Sequence, residues 1–119
     1  MADLRPRISV KYLDRAAVIA FTDEKILEEK DIHDIQQSIM SVIDQAEHIN
    51  LILDFSNVKF LSSAVLGLLL RISKKIYEQE GKLKLCGINP KIYEIFRITK
   101  LINIFDICDD VDSAVKQLQ

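Results

Sequence analysis

The segment that most constrains the fold is NLILDFS, residues 50–56, which contains a continuous apolar run that ends at Asp54. A strand exposed on one face alternates apolar and polar residues, whereas an unbroken apolar run is typical of a strand covered on both faces. Such strands occur in parallel sheets enclosed by helices. We therefore expect a sheet against which helices pack.

The segments before and after this run show the periods of strands and helices. RISVKYLD alternates Ile8, Val10 and Tyr12 on one side, and AAVIAFTD follows closely enough to form a hairpin with it. The next stretch changes to a helical period, with apolar residues at Ile32, Ile35, Ile39, Val42, Ile43 and Ala46. SNVKFL is predicted to be a connection. SSAVLGLLLRISKKIYEQEG is predicted to be a second helix, deeply buried in its first half and stopped by Gly81.

The last third of the chain continues the alternation. KLKLCGI predicts a strand, and NPKIYEIFRIT predicts a third helix with Asn89 as its cap and Pro90 at its first position. LINIFDI predicts a short final strand. DDVDSAVKQLQ predicts a closing helix with one apolar face, formed by Val111, Ala114, Val115 and Leu118. The expected fold is α/β, a mixed and mostly parallel sheet of four to five strands packed against about four helices, in a single domain spanning residues 1–119.

Composition and charge exclude several classes of function. With a net charge of -2 and a pI near 5.7, the chain offers no electrostatic case for binding nucleic acid or an anionic membrane. Its longest apolar run, Ala64 to Leu70, is far shorter than the ~18 residues of a membrane span. The N-terminus, MADLRPRISV, lacks the apolar core of a signal peptide. We therefore expect a cytoplasmic protein without membrane insertion, in which Cys86 and Cys108 are buried thiols.

Motifs for cofactors, metals and catalysis are missing. The three glycines, at 67, 81 and 87, are scattered, so the sequence contains no glycine loop that cradles a phosphate. His33 and His48 lie too far apart on the predicted first helix to bind one metal ion as a helical pair. We therefore expect no cofactor, no metal site and no catalytic residue.

Ser62 and Ser63 are the polar residues at the predicted start of the second helix. As hydrolase nucleophiles they would need flanking glycines, and Leu61 and Val65 stand at those positions. A serine there can cap the helix by accepting a backbone N–H, a bond worth about 1 kcal/mol. The same helix start also favours an anion, and a phosphate on the hydroxyl would add about -1.5 to -2 charges to an apolar surface. Capping and phosphorylation both remain open from the residues alone.

The segment LDFSNVKFLSSAVLGLLL resembles the signature of STAS domains, the fold of bacterial anti-sigma factor antagonists. In that signature a strand ending in D-[LF]-S leads through a short connection to D-S-[STA]-[GA]-[LV]-G at the start of a helix. With Leu66 and Gly67 aligned, Ser63 falls on the serine that such proteins present to a partner kinase. The preceding signature positions are occupied by Asp54, Ser56, Val58 and Phe60. The resemblance extends over most of the chain. It includes the opening hairpin and the segments FTDEKILEEKDI and KLKLCGINPKIYEIFRITKLINIFDI.

The resemblance implies a regulatory binding protein. An anti-anti-sigma factor of this family binds, while unphosphorylated, an anti-sigma factor that is also a serine kinase, and so releases a sigma factor. Phosphorylation of Ser63, with Ser62 as the second candidate, would end that binding, and a serine phosphatase would restore it. The implied protein is a monomer or a weak dimer, and ATP belongs to the kinase. The implied contact residues are Asp23, Val58, Phe60, Leu61, Ser62, Ser63, Ala64 and Val65.

Several positions depart from the family pattern. Ser62 stands where an acidic residue usually precedes the phosphorylated serine, and Val65 is bulkier than the small residues common at its position. In the first loop Asp23 matches the first acid of the pattern, and Lys25 replaces the second. Two alternatives follow, a STAS module that binds partners without being phosphorylated and an accessory subunit of a membrane transport system. A neighbouring kinase or phosphatase gene would favour signalling, and neighbouring transporter genes would favour the transport role.

Overall fold

The computed structural model describes residues 7–14, 16–46 and 48–118. Within them short strands alternate with helices, as the changes of apolar period predict. The strands are β1 Ile8–Tyr12, β2 Ala17–Phe21, β3 Lys25–Ile26, β4 Leu51–Asp54, β5 Phe60–Leu61, β6 Leu83–Cys86 and β7 Asp106–Cys108. The helices are α1 Glu29–Asp44, α2 Ser63–Glu78, α3 Pro90–Ile98 and α4 Val111–Leu118, with a 3-10 turn at Leu101–Asn103 after α3.

Five strands form the main sheet in the order β1-β2-β4-β6-β7. β1 and β2 pair antiparallel as a hairpin, and the three other pairs are parallel. The α/β class and the mixed, mostly parallel sheet are therefore confirmed. The final strand is shorter than LINIFDI predicts, because the first residues of that segment form the 3-10 turn.

A second sheet consists of β3 and β5 alone. The two strands are parallel, with Lys25 opposite Phe60 and Ile26 opposite Leu61. We refer to this pair as the β3–β5 ribbon. The segment predicted to be only a connection therefore ends in a strand, which delivers the chain to the start of α2.

The side chains of the main sheet divide between two apolar cores. Ile19, Leu53 and Leu85 are fully buried on the face covered by α1, α2 and α3. Ile52 and Cys86 are fully buried on the opposite face, against α4. The apolar run that ends in Asp54 is thus explained, because its alternate residues enter different cores. Fully burying one such aliphatic side chain contributes about 1.5–3 kcal/mol.

The first helix buries the predicted stripe but ends earlier than expected. Its buried residues are Ile32, Ile35, Ile39, Val42 and Ile43. The helix stops at Asp44, so the prediction that Ala46 and His48 belong to it is wrong. Ala46 is exposed, and His48 has a left-handed backbone (φ 55) with its Nδ1 3.0 Å from the carbonyl oxygen of Gln79.

The second helix is buried on one side only. Its buried residues are Val65, Leu66, Leu68, Leu69, Ile72 and Ile76. Ser63 and Ala64 are exposed and Leu70 is 41 % exposed, so the deep burial predicted for its first half holds on one side of the helix and is wrong for the outer side. The reason is geometric, since a helix lying between a sheet and one neighbouring helix keeps an outer face. No helix in the described ranges is long and apolar enough to cross a membrane.

The two cysteines are buried free thiols, as predicted. Cys86 and Cys108 lie opposite each other on the adjacent strands β6 and β7. Burial raises the pKa of the Cys86 thiol to about 12, and the Asp54 carboxylate adds to the shift. Burial also raises the pKa of Cys108. Because the thiolate is the reactive form, these shifts lower the reactivity of both cysteines at neutral pH.

Candidate functional site

The serine pair lies beyond the carboxyl ends of two neighbouring parallel strands. β4 ends at Asp54, directly beside Cys86 at the end of β6. From Asp54 the chain turns, passes through β5 and enters α2, with Ser62 at the N-cap position and Ser63 as the first helical residue. Loops from adjacent parallel strands meet at this edge, so the site is built from segments far apart in sequence.

The turn after β4 is held by Asp54 and Ser56. The Oδ1 of Asp54 accepts hydrogen bonds from the backbone N–H of Ser56 at 3.0 Å and from its hydroxyl. Gly87, at the end of β6, has φ +70 and lies so close that an added Cβ would be 2.9 Å from the nitrogen of Ser56. The D-F-S motif therefore builds a tight turn, and Gly87 leaves room for it.

Asn89 joins this loop to α3. Its side-chain oxygen accepts from the N–H of Ile92 at 2.9 Å and so caps the helix, as predicted. Its amide nitrogen donates to the carbonyl oxygens of Val58 at 3.2 Å and Lys59 at 3.3 Å. One side chain thus starts a helix and fixes the backbone that leads to the serines.

Replacing Asn89 by alanine should lower the free energy of unfolding by about 2 kcal/mol, because the cap and both loop bonds are lost. Asn89→Asp keeps the capping oxygen but cannot donate to the loop, so it should lose about half as much. Urea denaturation of the three proteins measures both values. The double role of Asn89 is wrong if the aspartate variant is as stable as the wild type, because the two bonds to the loop would then contribute nothing.

The two serines occupy different environments. The backbone N–H of Ser62 donates to the carbonyl of Ile26 at 3.0 Å, and its carbonyl accepts from Val65 at 3.0 Å. Its Oγ is buried, forms no capping bond and has no hydrogen-bond partner among the described residues. Ser63 is exposed one residue later. Of the two hydroxyls, that of Ser63 is the accessible one, and neither serine caps the helix through its side chain.

Exposed apolar residues lie on the elements next to Ser63. Phe60 on β5 is 48 % exposed, and Leu27, which follows β3 directly, is 50 % exposed. Ser63 and Leu70 are seven residues apart on α2 and so share its outer face. We define the docking face as the exposed residues Leu27, Phe60, Ser63, Ala64 and Leu70. Leu27 and Leu70 were missed from the sequence, in which Leu70 belongs to a helix half expected to be buried and no role was predicted for Leu27.

The other predicted contact residues lie in or below this face. Val58 is 2 % exposed and Val65 is fully buried, while Leu61 is half-buried and packs against the core. Their side chains position the loop from beneath, and the docking face is left to their exposed neighbours.

Asp23 lies in the first loop but is already engaged. Its carboxylate pairs with Arg7 at 3.0 Å, and Arg7 also reaches Asp31 on α1 at 2.9 Å. The Asp23 side chain is 28 % exposed. Arg7 therefore fastens the loop before β3 to the start of α1, and the Asp23 carboxylate is engaged in that contact.

The comparisons with known proteins agree with this architecture. The family model of the STAS domain matches residues 9–114. The anti-sigma F factor antagonist of Paenibacillus polymyxa is 31 % identical over 75 residues, which cover 63 % of this chain and 62 % of that protein.

Two solved structures show the same fold. An anti-sigma-factor antagonist (STAS) domain protein from Planctomyces limnophilus superposes with a TM-score of 0.85 at 22 % identity, covering 92 % of this chain and 96 % of that one. The Bacillus cell fate determinant SpoIIAA in its phosphorylated form superposes with a TM-score of 0.72 at 18 % identity, covering 94 % and 99 %. Since the family model spans most of the sequence, from the opening hairpin into the closing helix, the chain belongs to the STAS domain family.

Proposed function

We propose that this protein is an anti-sigma factor antagonist, a single STAS domain over residues 1–119 that is switched by phosphorylation of Ser63. In the unphosphorylated state its docking face binds an anti-sigma factor that is also a serine kinase. Phosphorylation of Ser63 ends the binding, and a serine phosphatase restores it. The protein itself is not an enzyme, because ATP and the phosphoryl-transfer chemistry belong to the kinase.

The observation that carries this proposal is the contrast between the two serines. A kinase has to reach the hydroxyl that it modifies, and Ser63 is exposed whereas the Oγ of Ser62 is buried. Ser63 also lies within an apolar surface, next to Ala64 and near Phe60. A modification there acts directly on the surface that a partner would contact.

The position of Ser63 explains how a phosphate can act without unfolding the domain. The first N–H groups of a helix have no partner within the helix, and the helix dipole favours negative charge there. A phosphate of about -1.5 to -2 charges is therefore tolerated by α2 itself. The same charge would have to be desolvated when an apolar partner surface covers it, which opposes binding.

The relatives support the proposal through what their names say of them. The Paenibacillus protein is an antagonist of an anti-sigma F factor. The Bacillus protein of the same fold has a phosphorylated form. The first name supports the antagonist role, and the second supports control by a phosphate.

Phosphate mapping tests the proposal. The protein is incubated with ATP and the anti-sigma factor kinase encoded nearest to it in its own genome, and the product is mapped by mass spectrometry. We expect one phosphate, on Ser63, with none in Ser63→Ala and normal incorporation in Ser62→Ala. Phosphate on Ser62 alone would contradict the proposal. Binding of the kinase without any phosphate transfer would instead favour a STAS module that is not switched by phosphorylation.

A further inference from the structure

The second helix and the strand before it carry charge of one sign. Between Phe55 and Tyr77 the chain contains no acidic residue and four basic ones, although its net charge is -2. Two of these, Arg71 and Lys74, follow Ser63 and Leu70 on the outer face of α2 at helical spacing. The stripe from Ser63 to Lys74 is about 16 Å long at the rise of an α-helix.

Lys25 adds a third cation beside the apolar residues. Lys25 is paired with Phe60 in the β3–β5 ribbon, and its Nζ lies 5.8 Å from the centre of the Phe60 ring. The two acids that precede Lys25 in the sequence are engaged with other cations. Asp23 pairs with Arg7 at 3.0 Å, and Glu24 lies 3.4 Å from Lys59. Within the described ranges Lys25 itself has no ion pair.

The two cations on α2 are also without acidic partners among the described residues. The Nε of Arg71 donates to the neutral amide oxygen of Gln36 at 3.0 Å, which holds the guanidinium over α1 and α2 without cancelling its charge. Lys74 is exposed. The neighbouring Lys75 differs, because it faces α1 and lies 3.4 Å from Asp44.

We propose that the docking face recognises an acidic protein surface, in which carboxylates meet Lys25, Arg71 and Lys74 around apolar pockets for Phe60, Leu27 and Leu70. The occupant is the anti-sigma factor, so this inference rests on the proposed function and adds the charge of the partner surface to it. Charge complementarity of this kind raises association rates and selects among partners. The central apolar residues favour a protein over a polyphosphate surface, which would contact cations alone.

The arrangement also gives the phosphate a second effect. The β3–β5 ribbon and α2 carry three cations without an ion pair among the described residues, the farthest about 16 Å along the helix from Ser63, and a phosphate would oppose about two of these charges. An acidic partner surface would then lose most of its attraction and face the phosphate itself. Phosphorylation would thus change the electrostatic match as well as the desolvation cost.

Charge reversal tests the inference. Affinities for the same anti-sigma factor kinase are measured by calorimetry at about 50 and 300 mM NaCl, where screening differs strongly. Lys25→Glu, Arg71→Glu and Lys74→Glu should each weaken binding about fivefold or more at low salt, and less at high salt. Arg71→Lys should bind nearly as the wild type does. Lys116→Glu, exposed on α4 across the sheet, is the matched control and should stay within about twofold.

Each other outcome overturns the inference. In the first such outcome, the wild type binds the kinase and phosphorylation of Ser63 abolishes binding, but the three charge reversals leave the affinity unchanged or raise it. The partner surface is then not acidic, and only this inference fails. If the wild type does not bind the kinase, the proposed function fails with it. The protein is also tested for binding to phosphatidylglycerol vesicles and to single-stranded DNA. If it binds either one, and the three reversals abolish that binding, the ligand of the docking face is a phosphate surface and the inference is wrong.

Discussion

Gly81→Ala should lower the free energy of unfolding by about 3 kcal/mol and the melting temperature by about 10 °C or more. A Cβ on residue 81 would lie 1.9 Å from the carbonyl oxygen of Ile49 and 2.9 Å from its carbonyl carbon. These atoms belong to the backbone just before β4, so they cannot move aside as a flexible side chain could. The chain at the start of β4 or the end of α2 has to shift instead.

The role of Gly81 differs from the sequence prediction that it stops α2. The residue with the left-handed backbone is Glu80 (φ 60). At the end of the helix the N–H of Glu80 donates to the carbonyl oxygen of Tyr77, and the N–H of Gly81 donates to the carbonyl oxygen of Ile76. Gly81 is therefore required by close approach and not by its backbone angle.

Gly67→Ala is the matched control for this prediction. Its added Cβ would make an ordinary contact, 3.5 Å from Arg71, in the middle of α2. Alanine is a better helix residue than glycine, so this variant should be more stable than the wild type by about 0.5–1 kcal/mol. Thermal and urea denaturation followed by circular dichroism measure both variants. If Gly81→Ala unfolds within about 0.5 kcal/mol of the wild type, the described approach of the two segments is wrong.

Ser63→Asp should weaken binding to the anti-sigma factor kinase about tenfold or more, while leaving the fold as stable as before or slightly more so. The first turn of α2 contains no acidic residue. An aspartate there interacts favourably with the helix dipole, by about 0.3–1 kcal/mol. If the variant is at least as stable as the wild type but binds the kinase more weakly, the loss of affinity is not caused by unfolding.

Ser63→Asn is the control, because it matches aspartate in size and lacks the charge. We expect it to bind much more tightly than the aspartate variant. Calorimetry on the three proteins, with denaturation measured in parallel, decides the matter. Equal losses for aspartate and asparagine would show that bulk and not charge disturbs the surface, and an unaltered affinity of Ser63→Asp would refute the switch.

Much of the architecture follows from local periods in the sequence. In α1 the buried residues recur at helical spacing, and in β4 every residue of the run is apolar because the strand is covered on both faces. Each pattern lies within one element, so the sequence alone predicts the element. Asn89 and Pro90 fit the start of α3 for equally local reasons. The resemblance to STAS domains then placed Ser63 in register, which periodicity alone could not do.

The features that were missed depend on contacts between distant segments. β3 and β5 are two residues each, too short to show a period, and they form only because the two segments meet. Leu27 and Leu70 resemble core residues in sequence, and their exposure depends on which neighbours cover them. The salt bridge between Asp23 and Arg7 and the buried Oγ of Ser62 are likewise consequences of packing.

The most direct test of the account compares one protein in two states. The wild-type protein is phosphorylated to completion, the phosphate is confirmed on Ser63, and the affinity of the anti-sigma factor kinase is measured for the modified and unmodified forms. We predict that the phosphate weakens binding about tenfold or more without changing the fold. Equal or tighter binding of the phosphorylated form would contradict the account.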